Sequence, residues 1–534
     1  MAQHSSDKAP CKVRHGCDPV VAIACAVVLS LFPPGVAFAQ YAQPAPTTVG
    51  EDQRMVRPTL EGCWLPLPGG LDRDSGLSQL HVARMEGRPY LLTPSITLRQ
   101  TYSDNITLAK ENTQSDFVTQ FIPALTFCRV GPRLRAQVDY EGQILRYWDE
   151  SQHDDVFHRL NADTTTTLVR DRLFLEAGAS HVQQPLSSRA RRGAFGDDNV
   201  LVTGNRVDAV NLRVSPYLIQ DLGPAGTSVT RYTFDRTTYE EVRPDQTVHS
   251  GSFLVTSPAA AEPLSWQASI RSDRVERERR GFDDVRYFDD AFLDLGYLLT
   301  GRLTVLGRAG VETETLRDGS QDRFGSSYWY AGFRWEDDRT SIEARYGRRF
   351  FGDTYFAAVT RRAANLTLRL NYNETHELSD QFARREELFL FIDPETGDVE
   401  LIPFVDVLNE VVIHKRATAS ATYVTGRSTL RAAAFSLRRE FLVAENNEDR
   451  YGANAFWRWQ WRPRTALIPR LTWERTDFRD DRTDKLYGGI ISVAHLLSPT
   501  MQAGASVRRQ KRTSTEAGAG HTENAVILEI TRAF

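Results

Sequence analysis

From Tyr90 onward the chain alternates apolar and polar residues, run after run. Leu92, Pro94, Ile96, Leu98 and Tyr102 alternate with Thr93, Ser95, Thr97, Arg99 and Thr101. Leu264, Trp266, Ala268 and Ile270 alternate with Ser265, Gln267, Ser269 and Arg271, and Leu366, Leu368, Leu370 and Tyr372 with Thr367, Arg369, Asn371 and Asn373. Met501, Ala503, Ala505 and Val507 do the same against Gln502, Gly504, Ser506 and Arg508. A period of two is the mark of a strand with one apolar face. Each run covers roughly 8 to 12 residues, enough for a tilted strand to cross an apolar layer. A single run fits a half-buried strand of any sandwich. A long succession, with few helix-period segments between, predicts an all-β, transmembrane antiparallel β-barrel.

The chain's last strand sharpens that expectation. Val526, Leu528, Ile530 and the terminal Phe534 share one face. The strand resembles the C-terminal strand by which the bacterial outer-membrane assembly machinery recognises its β-barrel clients, which makes Phe534, Ile530 and Leu528 the assembly-signal residues. Arg532 departs from that pattern, which favours an apolar or aromatic residue third from the end. In a barrel this strand must close against the one near Tyr90, leaving no free edge.

Connections alternate in length. Cys128–Pro132, Arg170-Asp171, Gly223–Gly226 and Thr300-Gly301 are short, whereas Trp148–Phe157, Gln183–Arg206, Arg274–Asp290 and Arg508–Glu523 are long and polar. Short turns at one end and long loops at the other divide periplasmic from extracellular ends in bacterial barrels. The longest interval, Glu374 to Lys415, fits either two further strands around a hairpin at 393–398 or an inward-folded constriction loop. Residues 89–534, at roughly 22 to 28 residues per strand and connection, predict about 18 strands within a range of 16 to 20.

The first 39 residues have another character. Lys8, Lys12 and Arg14 precede the apolar stretch Val20–Phe32, and Ala37-Phe38-Ala39 forms an A-x-A cleavage site. This predicts a cleaved signal peptide over 1–39. The Pro-rich stretch after Gln40 opens an arm over 40–88, either a flexible periplasmic tether or a plug segment. Mean hydropathy is −0.41, and no apolar run reaches the roughly 20 residues of a spanning helix. The formal net charge of −4 says little about partners and gives no sign of nucleic-acid binding. Of the five cysteines, Cys63 and Cys128 lie outside the signal peptide, where they form a disulfide or are an accident of composition.

Catalytic signatures are absent: no G-x-S-x-G, H-E-x-x-H, P-loop or C-x-x-C occurs. No histidine has a partner at metal-ligand spacing, so no catalytic, cofactor or metal residue is assigned. The acidic pairs Asp154-Asp155, Asp197-Asp198, Asp283-Asp284 and Asp289-Asp290 read as solvated loops. Arg345 and Arg369 fall opposite apolar faces and are therefore expected to line the lumen, where arginines attract anionic solutes unless neighbouring acids neutralise them.

Leu91 to Ile96, followed by Tyr102-Ser103-Asp104-Asn105, is similar to the opening of the PEP-CTERM system-associated outer-membrane proteins, a porin-like family linked to exopolysaccharide gene clusters. Gly352–Phe356 followed by Leu366–Glu374 adds to the resemblance. It implies an outer-membrane barrel acting with exopolysaccharide synthesis or secretion, its partners being outer-membrane lipids, the assembly machinery and secretion components. The alternatives are a general or anion-preferring diffusion porin and a plugged structural barrel with partner-binding extracellular loops.

Overall fold

A computed structural model describes residues 90–534, except 188, 196–198, 241–244, 259–260, 280–281, 317–322, 379–389, 393–398, 402–410 and 442–446. The predicted signal peptide (1–39) and arm (40–88) lie outside the described residues.

The first strands are β1 (Tyr90–Ser103), β2 (Asp116–Val130), β3 (Leu134–Tyr147), β4 (Asp155–Val169), β5 (Leu173–Pro185), β6 (Arg206–Asp221), β7 (Thr227–Tyr239) and β8 (Gln246–Thr256). Next come β9 (Leu264–Arg279), β10 (Phe282–Thr300), β11 (Leu303–Leu316), β12 (Arg323–Glu336), β13 (Thr340–Arg349), β14 (Gly352–Arg362) and β15 (Leu366–Leu378). After a small hairpin, β16 (Leu390–Ile392) and β17 (Val399–Leu401), the series resumes with β18 (Val411–Val424), β19 (Ser428–Phe441), β20 (Glu448–Arg462) and β21 (Thr465–Phe478). It ends with β22 (Thr483–Ser498), β23 (Met501–Ser514) and β24 (His521–Ala533).

Each strand pairs antiparallel with the next, β15 pairs β18 across the hairpin, and β1 pairs β24 from Ser95↔Ala533 to Ser103↔Ala525. The 22-stranded sheet is thus closed, as the pairing of the chain's last strand with the one near Tyr90 requires. Among the described residues no helix is long and apolar enough to cross a membrane.

The expected 18 strands are corrected to 22. The count assumed roughly 22 to 28 residues per strand and connection, and the observed connections are shorter. β13 and β14 turn over residues 350–351. Arg274–Asp290, read as a loop, is the end of β9 and the start of β10. Its charged residues hid the alternation because both faces of a strand that outruns the apolar layer are polar. Asp283, Asp284, Asp289 and Asp290 therefore stand on β10 rather than in a loop; Asp197-Asp198 lies outside the described residues. In the Glu374–Lys415 interval, β16 and β17 form a hairpin outside the barrel sheet, while residues 384–389 and 393–398 lie outside the described residues.

Polarity is inverted relative to a soluble core. Leu92, Ile96 and Leu98 of β1, Leu293 and Leu295 of β10, and Ile491, Val507 and Leu528 nearer the C-terminus are exposed outward. Thr93, Ser95, Thr97 and Thr101 of β1 are buried inward. An apolar exterior around a polar interior suits hydrocarbon outside and water inside. Aromatic rings mark both edges of the belt. At the rim holding Tyr90 and Phe534, the near rim, Trp457 and Trp459 stack at 5.7 Å. Toward the far rim Tyr102, Phe117 and Trp148 follow one another at 4.7 and 5.8 Å. Tyr147 faces inward and is buried with Ile106, Val118, Leu145 and Val200.

Candidate functional site in the lumen

Closing 22 strands at the usual spacing and tilt encloses a lumen roughly 40 Å across, backbone to backbone, too wide for wall side chains alone to fill. At the far rim the described residues of the connection between β5 and β6 (186–205, except 188 and 196–198) meet wall strands on two sides and form a strap. Asn205 ties the base, accepting from the Ser187 amide at 2.8 Å and donating to the Ser187 carbonyl at 2.9 Å.

On one side the strap rests on β3 and the first loop. Asn199 Nδ2 donates to Gln143 Oε1 at 2.7 Å, Tyr147 Oη to the Val200 carbonyl at 2.9 Å, and the Val202 amide to the Ile106 carbonyl at 2.7 Å. On the other side it reaches β21–β23 across the closure seam. Arg512 donates to the Ala190 carbonyl at 2.5 Å and Arg482 to the Arg189 carbonyl at 2.7 Å. The Ala194 amide donates to Gln510 Oε1 at 2.5 Å. Arg192 pairs with Glu474, which also takes Arg450 at 2.6 Å. Ala194 and Phe195 sit on Gly488 of β22: a Cβ there would meet Ala194 Cβ at 2.7 Å and the Phe195 ring at 2.8 Å. Glycine is the seat.

Two buried carboxylates organise the docking face. Asp484 accepts from Arg512 at 2.7 Å and from Arg482. Glu523, fully buried, accepts from Arg508 at 2.7 Å, Gln510 at 3.1 Å and Ser103 at 2.9 Å. Pairing with several donors offsets the desolvation that would otherwise expel such charges. At the exposed edge Arg189 donates to Asp480 at 2.7 Å, and this hydrogen bond holds the Asp480 carboxyl below its ordinary value.

The Tyr102–Asn105 motif lies here. The Asn524 amide and Nδ2 both donate to Asp104, each at 2.7 Å, and the Asp104 amide donates back to the Asn524 carbonyl at 3.1 Å. Asn105 Nδ2 bridges to the Thr522 carbonyl at 2.9 Å. The motif clasps the first strand to the last beneath the strap.

Across the barrel, β10–β14 carry a second set of inward charges, paired mostly between nearby strands. Arg308 pairs with Asp294 at 2.5 Å and lies 4.0 Å over the Phe292 ring. Glu343 takes Arg334 at 2.8 Å and Arg345 at 2.7 Å, and Glu312 pairs with Arg349. Tyr328 donates to Asp290 at 2.8 Å and lies flat over Gly310, where a Cβ would meet its ring at 2.5 Å.

Arg345 lies on the same face as Glu343, whose carboxylate it shares with Arg334. Arg369 stands opposite the Leu368 and Leu370 face and is exposed. The two are not brought together: Arg345 is in register with Phe356, and Arg369 with Thr360, four positions further along β14. Leu528, Ile530 and Phe534 share the outward face of β24, the Phe534 amide donates to the Pro94 carbonyl at 2.9 Å, and Arg532 stands 5.1 Å over the Phe534 ring. Cys128 is buried and disulfide-bonded; Cys63 lies outside the described residues. Among the described residues no group of three or more His, Cys, Asp or Glu side chains is placed to hold a metal ion.

No protein-family model and no curated protein matches the chain. Solved structures do. The FrpB iron transporter from Neisseria meningitidis (F5-1 variant) is similar over 83% of this chain and 82% of its own, at a TM-score of 0.52 and 10% identity. The siderophore receptor PirA from Acinetobacter baumannii is similar over 83% of this chain and 80% of its own, at a TM-score of 0.50 and 7% identity. At such identity the likeness is one of fold. It is the likeness of one large closed β-barrel to another.

Proposed function

We propose that the chain is an outer-membrane β-barrel whose strapped lumen passes a polar saccharide chain, an exopolysaccharide or its fragments, in a system of the PEP-CTERM-associated type. The short turns of the near rim face the periplasm and the long connections of the far rim the outside. The apolar belt and the closed seam support the membrane reading. The observation that carries the conduit reading is the strap. Val200 anchors one half in an apolar cluster, whereas the half that meets β21–β23 is held mainly by hydrogen bonds and ion pairs. Docking on that side can therefore be exchanged for water or sugar hydroxyls. The resemblance of the first strand and clasp to the exopolysaccharide-linked family supplies the substrate class. Pairing of the wall arginines with carboxylates argues against an anion-preferring pore.

The test has two arms. Purified protein in planar bilayers is expected to conduct, and deletion of its gene to lower secreted polysaccharide. A barrel that stays closed at every voltage, with secretion unchanged, removes the proposal. The neighbours' descriptions as iron transporter and siderophore receptor motivate a second reading, uptake of a ferric chelate. In that case deletion abolishes growth on the chelate and leaves polysaccharide alone.

A further inference from the structure

The outer face of β21–β23 carries a feature the conduit does not use. Toward the far rim, above exposed Leu471, Ile491 and Val507, stand Lys485, Arg509 and Lys511. Register brings them together with Arg475: Arg475 pairs Lys485, Tyr487 pairs Lys511, and Gly489 pairs Arg509. Arg475 is held by Asp477 at 2.9 Å. The other three face no carboxylate among the described residues. Elsewhere around this rim Arg146 is paired with Asp154 at 2.8 Å, Arg274 with Glu276 at 2.6 Å, Lys415 with Glu440 at 2.8 Å and Arg438 with Asp449 at 2.7 Å, and Arg348 stands in register with Asp353. Lys485, Arg509 and Lys511 gather uncompensated charge on two adjacent strands.

Shape agrees with charge. Gly489 lies on the same outward face between Leu471 and Arg509, where a Cβ would meet only Leu471 Cδ2 at 3.5 Å, so the surface there is low at the top of the apolar belt. Exposed Trp473 and Tyr487 pair directly above it. An occupant complementary to this surface has anionic groups at the level of Lys485, Arg509 and Lys511 and hydrocarbon running down past Ile491. A soluble anion would use the first part only.

We infer that this sector is a binding site for the phosphorylated headgroup of a multiply acylated outer-leaflet glycolipid. The inference rests on the membrane reading above. Lysine and arginine clusters immediately beside a membrane-spanning apolar surface are how proteins hold anionic lipid headgroups, and arginine chelates phosphate oxygens two at a time.

The experiment measures lipid retained by the full-length protein in detergent, using native mass spectrometry with diphosphoryl and monophosphoryl lipid A. Lys485→Gln/Arg509→Gln/Lys511→Gln is expected to lower retention of the diphosphoryl lipid by about 10-fold or more, and the monophosphoryl lipid to bind more weakly to the parent. A control triple at paired cations, Arg274→Gln/Lys415→Gln/Arg438→Gln, should retain lipid like the parent. Equal retention by the first triple overturns the site, and displacement of lipid A by millimolar inorganic phosphate overturns its assignment to a lipid. Should the triple fail to fold, Lys511→Gln alone is read the same way, since its side chain is exposed and unpaired. Failure of the parent to insert into liposomes defeats the membrane reading instead, so the two failures are told apart.

Discussion

The seam sector (β21–β24 with β1–β3) and the wall across from it (β10–β14) are built from the same residue types and behave differently. Both bury arginines against carboxylates. In the wall, Arg308, Arg345 and Arg349 turn back onto carboxylates of their own or nearby strands. At the seam, Arg482 and Arg512 hold a carboxylate and also reach carbonyls of the strap. Spare donors, rather than the kind of residue, make a wall into a docking surface.

That contrast can be broken at several strengths. Deleting Phe534 removes the amide bonded to Pro94 and the ring under Arg532, and most of the inserted protein should be lost in a membrane-fractionation assay. No wall deletion of one exposed side chain should do as much. Next is Glu523→Ala, which strands Arg508 beside an unanswered seam. It should cost about 3 to 5 kcal/mol of barrel stability in urea unfolding. Gly488→Val and Gly310→Val separate the sectors most cleanly. Each forces a side chain against a neighbour and should cost about 1 to 3 kcal/mol. Only Gly488→Val should raise single-channel conductance, because only there is the neighbour the strap; equal conductance in both would mean the strap does not obstruct the lumen.

The smallest effect is expected from pH. Asp480 sits below its ordinary value of 3.8 because Arg189 donates to it. A depressed carboxylate contributes above its unfolded value and is lost only as pH falls through the folded one. The Arg189 contact should therefore persist from pH 7 to 5, and conductance measured across that range should stay flat.

Much of the barrel was legible in the sequence because its physics is local: the alternation of Leu92 to Tyr102 follows from lipid on one side of a strand and water on the other. The strap was not. Gln183–Arg206 reads as a polar loop because its partners are remote in the chain, Arg192 meeting Glu474 and Ala194 meeting Gln510. Its signals were Ala194-Phe195 and Val200-Leu201-Val202, apolar residues in a stretch that solvent alone would not favour. The pairing of Arg345 with Glu343 depends on rotamers and could not be read from spacing. The strand count failed because the connections are shorter than assumed; in β9 and β10 charge masked how far the strands run.

The clasp of Asp104 on Asn524 has a consequence for timing. The strap is synthesised early, whereas Glu474, Asp484, Gln510 and Glu523, which receive it, belong to the final part of the chain. Until those strands exist, the half of the strap from Arg189 to Ala194 has no docking face, although Asn199, Val200 and Val202 already have theirs on β3 and the first loop. An apolar plug in that position would be an aggregation hazard while it waited; Arg189-Ala190-Arg191-Arg192 can wait in water. Only when the last strand meets the first does its docking face come into being, so the mouth is bridged as the final act of assembly.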